Sequence, residues 1–290
     1  MKNSSVFRVD RQDFFTSVDI NRREFLKAGV SLAVVATGLE MITGCAATKT
    51  PRGLKITAKE KPSSKINPPQ EANYVLIHGG NMSTDTWNKL TKGNHVYTHD
   101  GKMGGRIWDT VVPALKEHNH CIFAPTLKDE HSSNLTEHIE QVCALIADHD
   151  LRDVILVGHS YGGMIITGTA AKMADRISHL VYVDAALPDP GQSLFDIIVS
   201  GGCDPMSFAG LAPAAPYVEK LQFDAQKIKL LPKTYILCTE SDFTSVTNVA
   251  RQKIAATKKE RTYFELPTSH VPMASMPDEL AQLLLGTAKK

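Results

Sequence analysis

The 290-residue sequence has almost no net charge, +1 from 32 basic and 31 acidic side chains. Residues 1–45 hold six of the basic and five of the acidic residues, so the remainder is balanced as well. Nucleic-acid binding through phosphates needs a concentrated basic surface, and this composition predicts no nucleic-acid partner. The five cysteines, Cys45, Cys121, Cys143, Cys203 and Cys238, are scattered. They offer neither the paired spacing of a zinc knuckle nor the density of a small disulfide scaffold. Cys121 and Cys238 fall in apolar, strand-like runs and are read as buried thiols. No apolar run approaches the roughly 20 residues of a membrane-spanning helix; the best candidate, 28–39, is closed by Glu40. Gly79-Gly80 and Gly201-Gly202 lack the spacing of a dinucleotide fingerprint. His95, His99 and Asp100, and the pair His118 and His120, form no coherent ligand set. The sequence therefore predicts no cofactor and no metal.

What is present is a globular composition, 42% hydrophobic and 22% charged, behind an unusual front. Asn21-Arg22-Arg23-Glu24-Phe25-Leu26-Lys27 precedes the apolar stretch, and Ile42-Thr43-Gly44-Cys45 follows it. Basic, apolar, then small residues before a cysteine is the order of a processed signal. The arginine pair resembles a twin-arginine (Tat) export signal, and the second tetrapeptide resembles the box at which bacterial lipoproteins are cut and lipidated. These resemblances imply handling by the Tat machinery, lipid on Cys45 and membrane attachment at the cell envelope; cleavage near Ala47 without lipid is the alternative. Residues 46–70, with Pro51, Pro62, Pro68 and Pro69, read as a flexible tether. The folded domain is expected over 71–290.

Within that domain, short apolar runs alternate with helical patterns. Strands are predicted at 74–77, 121–125, 154–157, 180–183, 234–239 and 262–266. Helices are predicted at 106–118 with an interruption at Pro113, at 134–148 with Leu135, Ile139, Val142, Leu145 and Ile146 on one face, at 161–174, and from Pro277 onward. Such alternation predicts an α/β domain, a mostly parallel sheet with helices on both faces.

The strongest motif is Gly158-His159-Ser160-Tyr161-Gly162, lying between the apolar run that ends at Val157 and the helix that follows. It matches the Gly-x-Ser-x-Gly nucleophile elbow, where small residues two positions either side of the serine let strand and helix approach closely. A serine hydroxyl is a weak nucleophile, so a histidine must take its proton and an acid must hold that histidine. His270, after the last strand, is the base candidate. Asp242, after the strand at 234–239, is the leading acid candidate, and the chain order Ser160, Asp242, His270 suits this arrangement. Glu240 and Asp184 remain alternative acids. The N–H of Tyr161, the residue after the serine, is one candidate donor to a developing oxyanion.

From about Ala72 onward the chain resembles the α/β-hydrolase superfamily, and more narrowly the small hydroxynitrile lyases and methyl-salicylate-type esterases of plants. The matching residues are His78-Gly79-Gly80, Gly158-His159-Ser160-Tyr161-Gly162-Gly163, Asp184-Ala185-Ala186-Leu187-Pro188-Asp189, and the late pair Asp242 and His270. The segment Met82–Arg106 departs from that pattern as an insertion. The resemblance implies the α/β-hydrolase fold, a second oxyanion donor at Gly80, and cleavage of a small or aryl carboxylic ester through an acyl-enzyme. A hydroxynitrile lyase, a lactonase, an amidase and a noncatalytic binding protein are the alternatives. The lyase pattern needs a threonine where Gly79 stands and a lysine where Val271 stands. Residues 190–230, long and dotted with Phe195, Ile197, Ile198 and Tyr217, are predicted to form a cap over the site. Oligomeric state is not legible.

Overall fold

A computed structural model describes residues 71–80, 82–91, 95–207, 214–257 and 261–288. The export signal at 1–45, with Cys45, and the tether at 46–70 lie outside the described residues.

Each predicted apolar run is a strand: β1 Asn73–Ile77, β2 Cys121–Phe123, β3 Val154–His159, β4 Ile177–Val183, β5 Lys233–Cys238 and β6 Arg261–Leu266. All pairings are parallel, in the order β2-β1-β3-β4-β5-β6. Parallel strands need crossovers and therefore cover on both faces, which is why nearly every position in β3, β4 and β5 is buried. Alternate residues serve opposite faces. Val75, Ile77, Leu156, Leu180, Tyr182, Tyr235 and Leu237 join one large apolar cluster with the helices on one side. Tyr74, Leu76, Ile155, Val157, Val181 and Ile236 are equally buried outside that cluster, and the Tyr74 hydroxyl donates to the Leu284 carbonyl at 2.8 Å.

The helices of the body are α1 Thr84–Leu90, α2 Val112–Glu117, α3 Leu135–Asp148 and α4 Gly162–Lys172. The stretch predicted as one helix over 106–118 is a 3-10 turn, Gly104–Trp108, followed by α2, because Pro113 starts a new helix at its first turn. Asn134 caps α3 by accepting from the Glu137 N–H at 2.9 Å, while Glu137 returns a bond to the Asn134 N–H at 2.9 Å. Residues 190–230 hold α5 Leu194–Ser200, a 3-10 turn at Pro205–Ser207, α6 Ala215–Val218 and a 3-10 turn at Ala225–Ile228. A bridge between Gln192 and Leu221 closes this segment at its base. The chain ends in α7 Thr244–Ala256, α8 Pro272–Ser275 and α9 Pro277–Thr287. Cys238 is buried as predicted, but Cys121 is exposed: it opens β2, the edge strand, where its Sγ faces Glu71.

Candidate active site

In a parallel sheet the loops after the carboxyl ends of the strands gather on one rim. Here that rim receives His78–Gly80 after β1, Ser160 after β3, Asp184 after β4 and His270 after β6.

Ser160 takes a left-handed backbone, φ +56°, a conformation that costs a non-glycine residue roughly 1–3 kcal/mol. Close glycine packing holds the turn. A Cβ on Gly158 would come within 2.6 Å of the Gly162 carbonyl oxygen, and one on Gly163 within 2.0 Å of the Ala186 carbonyl oxygen. The Ser160 carbonyl accepts from the N–H groups of Gly163 at 3.2 Å and Ala186 at 3.0 Å. Backbone sterics and hydrogen bonds thus fix the hydroxyl at the head of α4.

The Ser160 Oγ lies 2.9 Å from His270 Nε2, and His270 Nδ1 lies 2.7 Å from Asp184 Oδ2. A carboxylate accepts, so Nδ1 carries the imidazole proton and donates it to Asp184. Nε2 is then the bare acceptor facing the serine hydroxyl, the tautomer that proton removal from serine requires. Asp184 is fully buried and has φ +44°. Its Oδ1 accepts from the Cys238 N–H at 3.0 Å, so both oxygens are bonded.

This geometry corrects the acid expected from the sequence. Asp242 and Glu240 are exposed, and among the described residues neither side chain forms a hydrogen bond or ion pair. Both follow β5, two strands from the nucleophile, and lead outward into α7. Asp184 follows β4, which pairs with β3 so that Val183 is level with His159. It therefore emerges beside the elbow. Near Asp242, the Ser241 Oγ approaches His270 Nδ1 at 3.5 Å and accepts from the Phe243 N–H at 3.1 Å.

Two further histidines brace the site. His159 Nε2 lies 2.7 Å from the His270 carbonyl oxygen, which can only accept, so His159 donates there. Its ring packs against that of His270 at 4.7 Å between centroids, and its Nδ1 is buried without a hydrogen-bond partner among the described residues. Burial, and then the neighbouring His270, hold its pKa well below the usual histidine value. His78 Nδ1 donates to the Gly79 carbonyl at 2.9 Å, and its Nε2 accepts from the Leu127 N–H at 3.0 Å. Protonation would remove that acceptor and charge a buried ring, and burial lowers its pKa to about 4. His78 thereby ties the β1 turn to the loop after β2. Gly79 passes so close to the elbow that a Cβ there would lie 2.6 Å from the Ser160 Cβ.

Tyr161 follows Ser160 directly, and Gly80 follows Gly79, which packs against Ser160. Tyr161 stands at the open N-terminus of α4 with no side-chain cap, where backbone N–H groups are left over by the helix. Its hydroxyl donates to His138 Nδ1 at 3.1 Å, because His138 Nε2 is turned to the Lys128 carbonyl at 3.0 Å. His138 and Glu130 had no sequence signal and Tyr217 only that of a cap residue, since segments far apart in the chain bring them together, with Tyr217 and Glu130 2.5 Å apart. His95, His99, His118 and His120 lie away from this cluster in the Met82–Arg106 insertion and beside β2. Among the described residues no three His, Cys, Asp or Glu side chains are grouped to hold a metal ion.

A sequence model of the Alpha/beta hydrolase family matches residues 74–217, and the six-stranded parallel sheet with its helices is an α/β-hydrolase fold. The carbendazim hydrolyzing esterase of Nocardioides sp. (strain SG-4G) is 40% identical over 136 residues, covering 44% of this chain and 47% of that protein. Polyneuridine aldehyde esterase of Rauvolfia serpentina is 29% identical over 142 residues, 45% of each chain. These alignments span less than half the length of either relative. Among solved structures, an extracellular α/β-hydrolase from a Paenibacillus species superposes with a TM-score of 0.56 at 20% identity, covering 76% of this chain and all of that one.

Proposed function

We propose that this chain is a serine-dependent carboxylic ester hydrolase. The observation that carries the reading is the unbroken line from Ser160 Oγ through His270 to Asp184, with contacts of 2.9 and 2.7 Å. The named activities of the relatives that align, esterases for carbendazim and polyneuridine aldehyde, support the same reaction class.

The reaction runs in two halves. Ser160 Oγ attacks the substrate carbonyl carbon as its proton passes to His270 Nε2, and Asp184 stabilises the resulting imidazolium. The carbonyl electrons move to oxygen, where the N–H groups of Gly80 and Tyr161 receive the charge. Collapse breaks the bond to the alkoxy oxygen, which takes the proton from His270 and leaves as alcohol. Water then adds to the acyl-enzyme with its proton going to His270. Cleavage of the bond to Oγ releases the acid and returns the proton to Ser160. Small and aryl esters are the proposed substrates.

Two features count against lyase chemistry at the same site. Val271 is buried and uncharged where a cation would assist cyanide departure. The close approach of Gly79 to Ser160 leaves no room for the threonine of the lyase pattern.

Ser160→Ala should fold with unchanged circular dichroism and lose at least about a thousandfold in kcat/KM on an activated aryl ester. A panel of alkyl esters, lactones, mandelonitrile and carbendazim then ranks substrates. Turnover of the ester by Ser160→Ala at the wild-type rate contradicts the reading. Export by the Tat route with a lipid anchor on Cys45 belongs to the same proposal and rests on residues 21–45 alone. Mass spectrometry of the native protein should find a diacylglyceryl group on an N-terminal Cys45, and an intact Met1 form excludes it.

A further inference from the structure

Among the described residues of segment 190–230, Tyr217 reaches the oxyanion side of the proposed site. Tyr217, on α6, is buried to 1% exposure. Its Oη lies 2.9 Å from the position that a Cβ on Gly80 would occupy, so the hydroxyl fills the side-chain face of that glycine. Its ring meets that of Tyr161 edge-on, with centroids 5.0 Å apart and planes at 86°. The side chain thus touches both residues proposed as oxyanion donors. Its own orientation is set from a third segment: the hydroxyl donates to Glu130 Oε2 at 2.5 Å, in the loop between β2 and α3. Burial first, then the hydrogen bond and charge of Glu130, push the phenol's pKa far above its usual value, so the hydroxyl stays protonated and donating.

Oxyanion stabilisation depends on donors held within fractions of an ångström before the charge develops. Gly80 is exposed, lies at a bend and has no side chain to anchor it. Tyr161 has its hydroxyl bound to His138 on one side, and the Tyr217 ring closes the other. We propose that Tyr217, oriented by Glu130, is a positioning residue that clamps both proposed oxyanion donors. The inference rests on the ester-hydrolase reading and deepens it. The fixed hydroxyl also explains why position 80 takes no side chain: an added Cβ would drive Tyr217 away from Glu130.

The test compares Tyr217→Phe, Glu130→Ala and Glu130→Gln with the unaltered chain on one activated ester. Each is also titrated with an alkyl trifluoromethyl ketone, whose carbonyl carbon bonds to Ser160 Oγ while the serine proton moves to His270, leaving an oxyanion. Tyr217→Phe keeps the ring contact and should lower kcat about tenfold with KM within about twofold, and the ketone should weaken by the same factor. Glu130→Ala should match it, and Glu130→Gln, which can still accept from the phenol, should recover most of the loss. An unchanged kcat with only KM altered makes the cap a door rather than a clamp and overturns the proposal. Equal behaviour of Glu130→Ala and Glu130→Gln also overturns it, and decides the matter if Tyr217→Phe does not fold. Absence of Ser160-dependent turnover in the unaltered chain instead defeats the ester-hydrolase reading.

Discussion

The rim of the sheet and segment 190–230, the proposed cap, rely to different degrees on backbone and side-chain contacts. On the rim, Ser160 and Asp184 sit in left-handed backbone conformations at the ends of neighbouring strands, locked by carbonyl contacts that tolerate only glycine beside them. The cap is built of two helices of seven and four residues and two 3-10 turns. It leaves Val199, Met206 and Val218 exposed, buries Leu194, Ile197, Ile198, Tyr217 and Leu221 in the apolar core, and has a tight backbone contact at Gly201, where a Cβ would lie 1.9 Å from the Ser245 carbonyl oxygen. Chemistry therefore depends on backbone geometry that admits almost no variation. Segment 190–230 is held mostly by buried apolar side chains, whose replacement one at a time costs less than a displaced backbone.

The sharpest way to break this contrast is Gly163→Ala. The new Cβ would stand 2.0 Å from the Ala186 carbonyl oxygen, and relief requires moving either α4 or the segment after Asp184. We expect a loss of about 3 kcal/mol or more in urea unfolding, with activity falling in parallel. A fully stable, active variant would mean that the rim is more compliant than described.

A pH series should reveal the same rigidity. His78 has a folded-state pKa of about 4, below its unfolded value near 6.5. A lowered pKa means that the fold favours the neutral ring. The stabilisation is complete above the unfolded pKa and is lost as pH falls from about 6.5 to about 4. The shift corresponds to about 3 kcal/mol. Unfolding measured at pH 7, 5 and 4 should show this decline, and replacing His78 with Gln should flatten part of it.

The smallest effect is expected in the cap. Ser193 caps α5 by accepting from the Asp196 N–H at 3.0 Å, and Asp196 returns a bond to the Ser193 N–H at 2.9 Å. Ser193→Ala should cost about 1 kcal/mol, a shift of about 2–4 °C in Tm. A loss as large as that of Gly163→Ala would remove the distinction between the two regions.

Much of the rim was legible because local chemistry dictates it. Six apolar runs became six parallel strands, Pro113 divided a helical stretch, and the apolar face of Leu135, Ile139, Val142, Leu145 and Ile146 marked α3. Ser160 and His270 could be named from an elbow and a late loop. The acid could not, because three carboxylates follow strands and chain order does not say which strand lies beside the nucleophile. Strand pairing carries the missing information: β4 adjoins β3, and Asp184 at its end is the carboxylate bonded to His270. One clue was present in the run Val181-Tyr182-Val183-Asp184-Ala185-Ala186, where a lone acid is embedded among apolar residues, whereas Asp242 sits in a polar loop. Cys121 was misread because an apolar run does not reveal that its strand is at an edge. Tyr217 and Glu130, 87 positions apart, meet only through the packing of cap on body.

The central claim is that the site works through Ser160, His270 and Asp184, and kcat/KM on one activated ester for Asp184→Asn and Asp242→Asn tests it most directly. Asparagine at 184 keeps an acceptor for the Cys238 N–H but cannot stabilise the imidazolium, so a loss of about a thousandfold or more is predicted. Asp242→Asn should stay within about twofold of the unaltered chain, since that exposed side chain touches nothing in the site. Collapse of activity in Asp242→Asn with Asp184→Asn nearly unaffected would contradict the account.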